Sequence, residues 1–259
     1  MLSSTNVQPT STSRRCETTR LVAGVVHSSS IAVDERREMY ALLETYFSGT
    51  TRLRFEADLR EKEKVILLRE GESGRICGFS TLMRMRAEID GQHIEAFFSG
   101  DTIVDREFWG ETLLSRMWGR TVFAEADCIA AEWPEASIYW FLICSGYKTW
   151  RFLPVFFREF YPNAGVATPP HVRQIIDTLG ARKFGDEYLP ASGVVRFRAA
   201  TPLRTGVATV TDERLRDPHV AFFARMNPGH VDGDELACLA EISRANLTRA
   251  GLRMVSEPA

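Results

Sequence analysis

Apolar residues recur along this chain with two periods, and the switches between them mark its elements. Residues 21–26 (LVAGVV) form a short apolar run with polar flanks, the pattern of a strand. From Asp34 the spacing changes. Met39, Leu42, Leu43 and Tyr46 fall three or four apart, which predicts a helix running to about Phe47 and stopped by Gly49. Thr51 to about Glu61 repeats that spacing more weakly through Leu53, Phe55 and Leu59. Lys64–Arg69 (KVILLR) returns to strand, residues 71–74 (GESG) make a turn, and Arg75–Ile89 is a long strand. Asp90-Gly91 is a strong two-residue hairpin signal, so Gln92–Val104 comes back as its antiparallel partner.

The second half reads less regularly. Glu107–Ala124 is predicted helical, with Leu113, Leu114, Met117, Trp118 and Val122 on one face. Asp127–Ala131 is predicted as a short strand. Pro134 suits the first turn of a helix over Glu135–Cys144, closed by Gly146. Tyr147–Tyr161, in which nine of fifteen residues are aromatic, Leu or Val on both parities, reads as a strand buried on both faces. After a connector at Pro162–Pro170 come a helix near His171–Leu179, a strand near Gly193–Arg198, and helices near Asp212–Arg225 and Asp234–Ala250. No internal repeat is visible. The fold class expected is α/β (α+β): a mixed, mostly antiparallel sheet flanked by helices, with a mainly helical C-terminal extension. Three parts are expected: a disordered tail over residues 1–19, a sheet domain over 20–162, and an α/β extension over 163–259 packing on it.

Composition narrows the function. A formal net charge of −2 over 259 residues argues against a nucleic-acid binder, which carries a basic excess. The five cysteines, Cys16, Cys77, Cys128, Cys144 and Cys238, are scattered and odd in number, with no spacing for zinc. No metal is expected, and reduced thiols in the cytoplasm are. No apolar run reaches a membrane span, and the Ser/Thr-rich start lacks the apolar core of a secretion signal.

Three places in the sequence carry chemistry. One is the hairpin at Asp90-Gly91 with its return strand ending Asp101-Thr102-Ile103-Val104. Another is Val104-Asp105-Arg106-Glu107-Phe108-Trp109-Gly110-Glu111-Thr112-Leu113-Leu114. The third is Pro134–Tyr147, ending Ser145-Gly146-Tyr147. With the element order, they make residues 20–160 resemble the GCN5-related N-acetyltransferase (GNAT) superfamily, as a divergent member. The family's strand-to-helix segment reads Arg/Gln-x-x-Gly-x-Gly/Ala. Here Gly110 is kept, while Glu107 and Thr112 depart from it. The resemblance implies that Thr102, Ile103, Val104, Trp109, Gly110, Glu111 and Thr112 hold acetyl-CoA or another acyl-CoA, whose pyrophosphate would meet a helix N-terminus. It also implies a kink in the fourth strand that frees backbone N–H groups for the donor, and Gly100 is the natural place for it.

The chemistry needs a base for the amine and donors for the thioester oxygen. Glu95, Ser99 and Asp101, with His93, share one strand face by odd numbering, and Glu95 with Asp101 would make a carboxylate cluster with a raised pKa. Their plainer reading is a solvated strand face. The family's general-acid tyrosine falls at Leu142 by counting back from Gly146; Tyr139, one turn earlier, is the candidate. The aromatic stretch 147–161 offers a wall for a large acyl chain or ring, with Arg151 and Arg158 free to grip a phosphate or carboxylate. His230, Asp232 and Asp234 read most simply as a turn and helix cap.

The function expected is therefore an acyltransferase moving an acyl group from an acyl-CoA to an amine of a small molecule. A carrier-protein thioester or aminoacyl-tRNA as donor, and a non-catalytic GNAT-like binding protein, are the alternatives. No nucleic-acid or membrane partner is expected, and a homodimer stays open.

Overall fold

The Asp90-Gly91 turn forms as its residues require. Both have positive φ, 52° and 78°, the conformation that joins two strands tightly. The hairpin it closes, β3 and β4 below, is the spine of the protein. The structure is a computed structural model and describes residues 21–256; the tail expected over residues 1–19 lies outside them.

In chain order, β1 (Leu21–His27) is followed by α1 (Val33–Tyr46) and α2 (Arg52–Glu61), then β2 (Lys64–Glu70), β3 (Ile76–Ile89) and β4 (Gln92–Val104). After α3 (Leu113–Glu132) come β5 (Ser137–Cys144), α4 (Tyr147–Trp150) and α5 (Phe152–Phe156). Then α6 (Pro170–Phe184), β6 (Tyr188–Leu189), β7 (Val194–Val195), α7 (Pro218–Met226), β8 (Glu235–Glu241) and α8 (Arg249–Val255) complete the chain. The strands form one sheet in the order β1-β2-β3-β4-β5-β8-β7-β6. The β4–β5 pair is parallel and the other named pairs are antiparallel. Met39, Leu43 and Phe55 of α1 and α2, and Ile175 and Leu179 of α6, cover one face of the sheet. Trp118 and Val122 of α3, Trp150 and Leu153 of α4 and α5, Phe223 of α7 and Met254 of α8 cover the other. Among the described residues no helix is long and apolar enough to cross a membrane.

Four expectations are corrected. The helix predicted over Glu107–Ala124 begins at Leu113 and runs to Glu132, absorbing the strand expected at Asp127–Ala131. The stripe Val122, Ala126, Ile129 keeps the helical period through that segment, and Pro134 disfavours helix only just beyond it. Glu135–Cys144 is not a helix: its unbroken apolar, aromatic and β-branched run is the central strand β5. Tyr147–Tyr161 is not a strand. Tyr147, Trp150, Leu153 and Phe157 are buried at helical spacing, and the segment folds into α4 and α5. Asp234–Ala250 is not a helix either. Residues 235–241 (ELACLAE) favour helix by composition, yet β8 fills the gap between β5 and β7 and is buried over its first six residues.

Candidate active site

The site begins with an irregularity in β4. Ser80 of β3 faces Thr102, but Leu82 faces Ser99, so Gly100 and Asp101 together oppose Thr81. This is a β-bulge, and it reverses the parity of the strand. Glycine is needed there: a Cβ on Gly100 would lie 2.6 Å from Lys62 Cε and 2.7 Å from Thr81 Oγ1.

Next to the bulge the sheet opens. The β4–β5 pairing runs from Ile94↔Ser137 to Ser99↔Leu142 and stops, although β4 continues to Val104 and β5 to Cys144. Asp105 N donates to Cys77 O across β3 (2.8 Å). By alternation the N–H of Ile103 also faces β3, while those of Thr102 and Val104 face the side β5 has left. Val104 O points the same way, accepting from Trp109 Nε1 at 2.9 Å.

Two cavities meet at this gap from opposite faces. The first, about 450 Å³, lies under α3 and is mainly apolar; Ser99, Thr102, Ile103, Val104, Trp109, Gly110 and Glu111 line it. The second, about 320 Å³, lies on the α1–α2–α6 face and carries Arg54, Asp58, Asp101, Lys183 and Glu235. Gly100, Thr102, Ile143, Ser145 and Thr149 border both.

The mouth of the first cavity suits an anion. Thr112 is the N-cap of α3 and makes no side-chain cap, and the first helical bond is Arg116 N to Thr112 O, so the N–H groups of Leu113, Leu114 and Ser115 have no helical partner. Lys148 Nζ sits 3.6 Å from the centre of the Trp109 ring, and the Arg106 guanidinium 5.1 Å from that centre. Burial, then Arg106 and Arg214 nearby, hold the Lys148 amine below the usual lysine range. Glu107, which would repel a phosphate, faces Arg75 at 3.3 Å. Gly110 takes φ 108°, a turn other residues adopt poorly.

Ser99 is held in an unusual way. Its Oγ accepts from Nε1 of both Trp118 and Trp140, at 3.0 Å each. Indole N–H groups only donate, so both lone pairs of Oγ are engaged and the hydroxyl hydrogen is left for the cavity. Ser99 is thereby a donor, not a nucleophile or base.

The predicted carboxylate cluster does not form. Glu95 is 1% exposed and lines neither cavity. Arg84 donates to it twice (2.6 and 2.8 Å), Arg86 once (3.0 Å), and His93 Nε2 lies at 2.9 Å. Burial pushes its carboxyl up, but the bonds from Arg84 and His93 outweigh this and leave it below the usual range. That depressed pKa supplies stability above the unfolded carboxylate's pKa, which is lost as pH falls. Glu95→Gln is expected to cost about 3 kcal/mol in denaturant titration, the lower end for breaking a buried pair, because Arg84 keeps some solvent. Tyr139 also lines neither cavity; it sits on β5 facing the α6 side, and burial raises its phenol. Thr112 lies at the α3 cap, outside the cavity lining. Arg151 pairs with Asp217 at 3.5 Å, and Asp234 with Arg196 at 2.7 Å instead of capping a helix. Among the described residues no group of three or more His, Cys, Asp or Glu could hold a metal.

The bulge turns Asp101 into the second cavity, which it shares with a residue that the sequence reads as part of a solvated helix face. Glu235, at the start of β8, is 9% exposed and lies on the same face. Burial pushes its carboxyl up to about 8; the Ser145 hydroxyl opposes this and Asp101 adds to it. Burial, and then Asp58, raise Asp101 to about 6 against the pull of Lys62, Arg54 and Lys183. Lys62 is itself buried and paired with Asp58 at 2.6 Å, and Lys183 pairs with Glu61.

No family profile and no curated protein matches the sequence. Several solved structures share part of the architecture. Among them are N-acyl- and N-acetyltransferases. A probable N-acyltransferase from Enterococcus faecalis is 15% identical, with a TM-score of 0.39, over 54% of this chain and 33% of that one. The chain thus spans about a third of that protein's length. A GNAT family N-acetyltransferase from Escherichia coli, solved with CoA, is 16% identical over 57% of this chain and 71% of that one, TM-score 0.35. Glucosamine-6-phosphate N-acetyltransferase from Arabidopsis thaliana is 14% identical over 57% and 97%, TM-score 0.35. Scores of this size leave the chemistry of the chain to be read from its own geometry.

Proposed function

We propose that this chain is an N-acyltransferase that moves an acyl group from an acyl-CoA thioester to the amine of a small molecule. One observation carries the reading. An apolar cavity and a polar, acidic one reach each other through the sheet, at the place where β4 has unladdered N–H groups.

In this reading the α3 N-terminus, Arg106 and Lys148 hold the phosphates of the donor. Thr102 N–H and the Ser99 hydroxyl donate to the thioester oxygen, which gains charge as the amine adds, and Val104 N–H, two residues along the strand, is left for another acceptor on the donor. The acceptor amine enters from the second cavity. Near neutrality the Asp101–Glu235 pair holds one proton and one charge, because their environments set the two carboxyls apart. Asp101 takes the amine's proton as the C–N bond forms. As the C–S bond breaks, Glu235 returns a proton to the departing sulfur through Ser145, which borders both cavities. Asp101 must be ionised and Glu235 protonated, so activity rises with pH through about 6 and falls through about 8.

Titration calorimetry of the full chain with CoA, acetyl-CoA and 4′-phosphopantetheine tests the donor. Binding is expected, weakened about tenfold by Arg106→Ala or Lys148→Ala, the loss of one charge-assisted contact. Absence of heat and of any thermal shift with all three compounds would sink the reading.

A further inference from the structure

The first cavity extends past the place where the transfer would occur. Phosphates would sit at the α3 N-terminus, and the thioester between Thr102 and Ser99. Beyond them the lining continues to Trp118, Trp140, Phe156 and Met254, contributed by α3, β5, α5 and α8. Neither the helix terminus nor the amides need these side chains. The Trp118 and Trp140 rings lie 4.5 Å apart and form one wall, and Met254 is 3% exposed.

This end also offers water few partners. Each indole has a single N–H, and both point to Ser99 Oγ, so neither wall keeps a donor for water. Phe156 and Met254 offer only carbon and a weakly accepting thioether. A space with such walls holds ordered water poorly and suits an apolar group. An acetyl group would leave it unfilled.

We infer that the donor carries an acyl group well beyond acetyl, of the medium-chain aliphatic class, with its tail against Trp118, Trp140, Phe156 and Met254. The inference rests on the acyl-transfer reading above and specifies its donor. It assigns the chain-length selectivity to four residues outside the reacting centre.

Two thioester series separate the inference from that reading. One is acyl-CoA from acetyl to decanoyl; the other is the matching acyl-N-acetylcysteamine thioesters, which lack the nucleotide. Dissociation constants are measured by calorimetry on the full chain. In both series they are expected to fall about fourfold per methylene over several steps, the 0.8 kcal/mol of a buried CH₂, and then level off. Met254→Ala should move the levelling point to longer chains. Should that variant fold poorly, Phe156→Ala, at a half-buried position, serves the same purpose. A flat series, or acetyl binding tightest in both, overturns the inference and leaves acyl transfer standing. A gradient in the cysteamine series with no binding of any CoA ester upholds the inference and removes CoA as the donor. No binding in either series overturns both.

Discussion

Glu235→Gln is expected to lower kcat by 10²- to 10⁴-fold, the range for loss of a positioned acid or base, while making the protein more stable. The two effects have one cause. The folded-state carboxyl of Glu235 stands at about 8, well above its ordinary value of 4.5, because burial disfavours its charge. Between those two values the folded chain holds a proton that the unfolded chain releases, so stability declines as pH rises through that window. Above pH 8 the folded protein carries a buried charge with Asp101 nearby. Glutamine keeps the shape and the Ser145 neighbour but has no charge to bury. Thermal unfolding at pH 8.5 should therefore show the variant above the wild type by a few kcal/mol, and the gap should close towards pH 4.5. The alkaline fall in activity near pH 8 should vanish from the residual rate, with the rise near pH 6 kept. A variant less stable than wild type at pH 8.5, or one with normal kcat, contradicts the assignment.

Thr102→Pro is expected to lower kcat by about 10²- to 10³-fold, as removal of one oxyanion donor does, with the sheet intact. Proline deletes the N–H, and at Thr102 that group faces the gap and not β3. Ile103→Pro is the matched control. Its N–H belongs to the β3–β4 ladder and its side chain is buried, so this variant should lose several kcal/mol of stability. Circular dichroism melting separates the two. Equal destabilisation by both prolines would mean that the Thr102 amide is a ladder donor and that no free donor exists at the gap.

The first half of the chain was legible in the sequence because its signals are local. The Asp90-Gly91 turn sets the register of β3 and β4, and the helical stripe of α1 has no competing strand pattern. Gly100 as the site of a bulge was also readable, since an isolated glycine in a long strand has few other uses. What the bulge does to its neighbour was not. Counting parity across it placed Asp101 beside Glu95, whereas the extra residue sends the two side chains to opposite faces. Beyond Val104 three of the four failures share a cause. Residues 137–144 and 235–241 are buried strands whose partners lie far away in sequence, so burial on both faces erases the alternation that marks a strand. Residues 147–161 are short helices rich in aromatics, which imitate such a strand. Glu235 was hidden by the same error, because a helix over Asp234–Ala250 makes it a solvent-facing residue.

The place of β8 also governs how the molecule is made. The strand that completes the centre of the sheet, and supplies Glu235, begins at residue 235, although its partner β5 ends at Cys144. During synthesis, the outer edge of β5 from Tyr139 to Cys144 must wait for it with bare N–H and C=O groups. Distant pairing of this kind is slow to form, and an unpaired edge recruits strands from other molecules. A nascent chain stalled before residue 235 would thus be both inert and adhesive, and its dependence on chaperones should be greatest between the emergence of β5 and that of β8.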